Sequence, residues 1–142
     1  MLDKLNIICY ANKACFRNKN KELVTDISPR AILGLLGNIC GIWRAPEDTG
    51  WENSNLDKWI AESNLCIGNI SYTYDGYLTE SHSKAFEKET FIKKYHTKAV
   101  LAFEVTGNSK TIAMIKNHIK KPCGIAYLGT SDCPAEVLVA WY

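Results

Sequence analysis

The chain has 142 residues, 46% hydrophobic and 23% charged, which suits one domain with a proper core and leaves no room for two. A formal net charge of only +2 excludes nucleic-acid binding through bulk charge, so any such function must come from a local patch. Six cysteines at positions 9, 15, 40, 66, 123 and 133 include no Cys-x-x-Cys pair, which points to a reducing compartment rather than a disulfide framework.

The opening Met-Leu-Asp-Lys-Leu-Asn lacks the apolar core of a signal peptide, and no apolar run approaches a membrane span. A cytoplasmic protein with no membrane partner is expected. Leu5 to Ala11 is rich in β-branched and aromatic residues and predicts a buried first strand. A basic stretch follows, with Lys13, Arg17, Lys19, Lys21 and Arg30 opposed only by Glu22 and Asp26. Ser28 is a good N-cap and Pro29 suits the first helical position, so a helix is predicted from Ser28 to Arg44. Its core face is Ile32, Leu35, Leu36, Ile39, Cys40 and Trp43, and Gly34, Gly37 and Gly41 gather opposite as a stripe for close packing. A helix N-terminus beside cations is a plausible phosphate site; the plainer reading is a solvated loop before a core helix.

Ala45 to Asn55 is turn-rich, and Leu56 to Ser63 reads as a short helix, with Trp51 and Trp59 expected in the core. Leu65 to Tyr74 alternates, but the phase slips at Gly68-Asn69, which predicts a bulge. Asp75-Gly76 is a hairpin signal, and Thr79 to Lys94 is too polar to be mainly core, so it is read as a protruding, partly mobile arm. Ala99 to Thr106 is the clearest central strand. Asn108 or Ser109 then caps a helix with the stripe Ile112, Ile115, Ile119, ending at Lys120 and Lys121 before Pro122. Ile125 to Leu128 and Glu136 to Trp141 read as two strands joined by Gly-Thr-Ser-Asp-Cys-Pro. The order is the βαββαβ pattern of an α+β, ferredoxin-like or RRM-type sheet. His82, His96 and His118 are not spaced to complete a zinc site, so no metal or other cofactor is expected.

Two motifs resemble the Cas-five family of CRISPR-associated RAMP proteins, particularly the form in type I-E Cascade-like complexes. The first is Cys15-Phe16-Arg17 followed by Ile27-Ser28-Pro29-Arg30 and the run to Ile42; the second is Tyr127-Leu128-Gly129-Thr130-Ser131-Asp132-Cys133-Pro134. The likeness covers nearly the whole chain and implies a single RAMP or RRM-type domain over 1–142 with a thumb-like insertion at about 74–95. It implies a non-catalytic subunit that holds the five-prime handle of the CRISPR guide RNA, contacts Cascade backbone and large subunits, and meets target DNA only indirectly in antiviral defence. Carried over by position, Arg17, Ser28 and Arg30, with the neighbouring Lys13 and Lys19, lie near the handle, and Tyr127, Gly129, Thr130 and Ser131 form the opposite wall. Tyr77, Thr79, His82 and Lys84 belong to the thumb. Thr130 stands where the type I-E form usually has arginine, and the chain ends at Tyr142, where relatives commonly continue, which implies a short variant.

Two other functions fit the same resemblance. One is a metal-free endoribonuclease that processes CRISPR repeat RNA, with Tyr95, His96 and Lys98 as its catalytic residues and His82 as a second candidate base. The other is an inhibitor or decoy that mimics the subunit within Cascade. Tyr72, Tyr74 and Tyr77 read either as a base-stacking platform or as one aromatic core face.

Overall fold

A computed structural model describes residues 1–83 and 90–140. The first strand, β1 (Leu2–Ala14), buries Leu5, Ile7, Cys9 and Ala11 and turns the alternate residues outward. Helix α1 (Pro29–Ile39) begins as predicted: the Ser28 hydroxyl accepts from the Ala31 N–H at 3.2 Å, and proline stands at the first position. Burying Ile32, Leu35, Leu36 and Ile39 stabilises the fold by roughly 1.5–3 kcal/mol per side chain.

The helix stops five residues before the predicted Arg44. Gly41 sits at φ +75, its N–H donates to Asn38, and the Ile42 N–H donates to Gly37, which is the left-handed termination that glycine favours. The three glycines therefore form no common stripe. Gly34 faces open space, Gly37 admits Leu56, and Gly41 ends the helix. Trp43, expected in the core, lies beyond the helix and is exposed.

Helix α2 (Ser54–Ser63), capped by the Asn53 side chain, packs on α1 through Leu56. Strand β2 (Cys66–Thr73) carries the predicted bulge: Gly68 faces Glu104 but Ser71 faces Ala102, with Asn69 at φ +50. Strand β3 (Gly76–Ser83) does not reverse direction at Asp75-Gly76, contrary to the hairpin signal. Thr73 faces Val100 and Gly76 faces Thr97, so β2 and β3 run in one register along the long strand β4 (Thr90–Asn108). The chain instead turns back between β3 and β4, so the predicted arm is a strand pair through its described part. Its polarity reflects one exposed face and one half-buried face of polar contacts through Glu80, His82 and Lys93 rather than loss of regular structure.

Helix α3 (Ser109–Lys120) buries Ile112 and Ile115, with Ile119 packed at the edge of the core. The Asn108 side chain donates to the Glu62 carbonyl instead of capping the helix. Ile125 to Leu128 is not a strand. Tyr127 and Gly129 form only single bridges, to Pro134 and Cys15, because glycine at φ +96 turns the chain there. The last strand, β5 (Glu136–Val139), pairs with β1; Trp141 lies outside the described residues.

The antiparallel sheet has the order β2-β4-β1-β5, with β3 extending the β2 edge. This is the α+β, ferredoxin-like arrangement, with the core between one sheet face and the helices. Ile8, Tyr10, Val100 and Ala102 stand on the other face, which no helix covers among the described residues.

Candidate nucleic-acid interface

Residues 16–24, between β1 and α1, fold into a tight turn. The Val24 N–H donates to Phe16 at 2.8 Å and the Asn18 N–H to Glu22 at 2.9 Å. The Asn18 side-chain oxygen accepts from the N–H groups of Asn20 and Glu22, and Lys21 takes φ +61. This turn carries Arg17, Lys19 and Lys21, which line a groove of about 540 Å³. Gly129 and Thr130 line the groove as well, and Ala31 in the first turn of α1 opens into it. The two sequence motifs thus meet across one depression.

Only glycine fits at position 129. A Cβ there would stand 2.0 Å from the Cys15 carbonyl oxygen, and the φ of +96 is one that other residues rarely adopt. The Cys15 N–H also donates to Leu128 at 2.9 Å, so the 127–134 loop rides on the end of β1. Ser131 is exposed at the same turn, whereas Tyr127 is half-buried and does not line the groove.

Arg17, Lys19 and Lys21 have no carboxylate partner among the described residues. The other predicted cations are engaged. Lys13 pairs with Glu80 at 3.1 Å and lies 4.5 Å over the Tyr95 ring, and Arg30 pairs with Asp57. Ser28 has its hydroxyl occupied by the helix cap.

Trp51, expected in the core, is instead 99% exposed and lines the same groove as the basic turn. Its loop is internally held: one Asp48 oxygen accepts from Ala45 N–H, Ser54 N–H and Ser54 hydroxyl at 2.9–3.1 Å. The Ser54 N–H leads the interactions that hold the Asp48 carboxyl below its usual range. The signal for this placement was present, since Trp51 is the one apolar side chain between Glu47 and Asn53 and has no local apolar partner.

A polar joint ties the arm to the groove wall. The buried Tyr95 hydroxyl donates to Asp132 at 2.5 Å and lies 3.2 Å from His82 Nε2. Lys93 donates to Asp132 and to the Thr130 hydroxyl, each at 2.8 Å, and Thr130 donates to Asp132 at 2.6 Å. Burial alone would raise the Asp132 carboxyl, but hydrogen bonds from Lys93, Thr130 and Tyr95 outweigh it and hold the group well below the carboxylate range. Burial, followed by the hydrogen bond to Asp132, raises Tyr95. Burial also pushes the adjacent Cys133 thiol up to about 11. Glu80, His82 and Asp132 present metal-ligand atoms within 4.8 Å of one another, but Lys13 and Lys93 already neutralise both carboxylates, so the group is a poor fit for a cation.

Tyr95, His96 and Lys98 do not converge. Neighbours on a strand point to opposite faces, so Tyr95 enters the joint while His96, 1% exposed, stacks on Tyr74 at 3.8 Å and meets the Tyr72 hydroxyl at 2.7 Å. Burial lowers the His96 pKa, which favours the neutral ring. Lys98, at φ +47, reaches solvent beside Asp75. Of the thumb residues, Tyr77 and Thr79 are exposed on β3, His82 belongs to the joint, and Lys84 lies outside the described residues. Of the three tyrosines, Tyr72 is packed against Phe16 and the core, and Tyr77 is the open one.

No family model matches the sequence, and no curated protein does. Solved structures do match in fold. A functionally uncharacterized protein, SMU1763c from Streptococcus mutans, is 15% identical with a TM-score of 0.58, covering 99% of this chain and 69% of that one. A CRISPR-associated protein is 14% identical with a TM-score of 0.59, again covering 99% and 69%. A Cas protein is 13% identical with a TM-score of 0.58, covering 93% of this chain and 62% of that one. Among the described residues, no helix is long and apolar enough to cross a membrane.

Proposed function

We propose that this chain is a non-catalytic RNA-binding subunit of a CRISPR-associated, type I Cascade-like surveillance complex, working in the cytoplasm. The groove between the basic turn and the Gly129-Thr130 turn holds the five-prime handle of the guide RNA. One observation carries the reading: three uncompensated cations line one groove with the turn of the second motif and the first turn of α1. Phosphates are the ligand that such an arrangement attracts, through side-chain charge and the partial positive charge of a helix N-terminus together. The likeness in fold to solved Cas proteins supports the assembly role.

Thr130 is uncharged, and its hydroxyl is taken up by Lys93 and Asp132. Arg17, Lys19 and Lys21 supply the cations across the groove. The strand pair β3–β4 projects as the thumb, with Tyr77 and Thr79 available to a backbone subunit, and target DNA is met only through the guide. The test is sequencing of RNA that copurifies with the tagged protein expressed from its native locus. Guide RNAs sharing one five-prime handle, recovered with other Cascade subunits, are expected. Recovery of neither overturns the reading.

A further inference from the structure

We infer that Trp51 is a base-stacking residue and that it makes the groove a site for unpaired nucleotides. This rests on the reading of the groove as an RNA site and adds what the cations cannot supply. Phosphates are alike in single strands and duplexes, so Arg17, Lys19 and Lys21 attract both. An indole face can be used only by a base that has left its stack, which selects unpaired RNA.

Three observations place a base there. Trp51 is 99% exposed, so its face is open to a planar partner. It lines the same groove as the three cations, which puts a stacking surface beside the path of a sugar-phosphate backbone. Its loop is ordered before any ligand arrives, by the Asp48 hydrogen bonds to Ala45 and Ser54 and by the Glu52 N–H donating to Thr49 at 3.0 Å. A preorganised loop leaves only the indole's own rotamers to be ordered on binding, which favours affinity.

The test titrates wild type and the W51A, W51F and triple R17A/K19A/K21A variants with a short unstructured RNA and with the same RNA in duplex form, over a range of salt. The Trp51 side chain is solvated, so its variants keep the fold. W51A is expected to weaken single-strand binding about 5- to 100-fold at every salt concentration with an unchanged salt slope. W51F should retain most of the affinity while losing the fluorescence quenching that RNA causes in wild type, and duplex binding should not respond to W51A. Wild-type binding by W51A, with binding weakened in the triple variant, would remove the stacking role and leave the groove reading in place. A changed salt slope in W51A would also overturn it, since Trp51 would then act by placing the cations. Wild-type binding by every variant would end both readings.

Discussion

The buried hydroxyl of Tyr95 donates to Asp132 at 2.5 Å, joining the base of the arm to the loop that walls the groove. Because Asp132 also accepts from Lys93 and Thr130, one carboxylate holds β4 and the Gly129-Thr130 turn in a fixed relation. Disturbing it should reach both the arm and the groove.

Asp132→Asn is therefore expected to lower stability at neutral pH by about 1–2 kcal/mol, at the modest end for hydrogen bonds to a charge because the carboxylate is partly solvated. The pKa of Asp132 is depressed by folding, so its contribution is present above the unfolded value of about 3.9 and is lost as pH falls below it. Urea midpoints measured from neutral to strongly acid pH should fall less steeply below about pH 4 in the variant than in wild type. Identical curves would mean that the joint adds nothing to stability.

His96 governs a different part of the acid limb. Burial depresses its pKa in the folded state, so stability is full above the unfolded value of about 6.5 and declines as pH drops through it. His96→Phe should cost about 1–3 kcal/mol at pH 7, because the Tyr72 hydroxyl loses its partner, yet flatten the decline just below about pH 6.5. A decline that persists unchanged in the variant would assign that proton uptake to another group.

The cations separate by their partners. Arg17→Ala, Lys19→Ala and Lys21→Ala should each reduce the salt slope of single-stranded RNA binding by about 0.7. Arg30→Ala should leave the slope unchanged and cost at most about 1 kcal/mol of stability, since its charge is spent on Asp57 at an exposed position. Equal slope losses at Arg17 and Arg30 would refute this division.

Two glycines should respond with opposite sign. Gly34 lies within α1 and faces open space, so Gly34→Ala should stabilise by about 0.5–1 kcal/mol. Gly129→Ala should destabilise by at least about 1–3 kcal/mol, from its positive φ and the clash with Cys15. Thermal denaturation of the two variants reads both signs directly.

What the sequence determined by itself was local. The Ser28 cap with Pro29, the bulge at Gly68-Asn69, the Ile112 and Ile115 stripe and the apolar run of β4 are legible because caps, turns and side-chain periodicity act within a few residues. The pairing of the two motifs was legible only through the family resemblance. The end of α1 was encoded in Gly41 but hidden, because the apolar period continues through Trp43 past the break.

Tertiary structure alone decided which charges are free and which aromatics are open. Lys13 and Arg30 look equivalent to Arg17 along the chain, but Glu80 stands 67 residues from Lys13 and Asp57 stands 27 from Arg30. Tyr95 and His96 are sequence neighbours that strand geometry sends to opposite faces, one into the joint with Asp132 and one against Tyr74. Trp51 lacks an apolar neighbour along the chain, but only the fold shows that no distant side chain covers it among the described residues. Sheet register and helix docking bring distant side chains together or keep them apart, and no local pattern of residues encodes that distance.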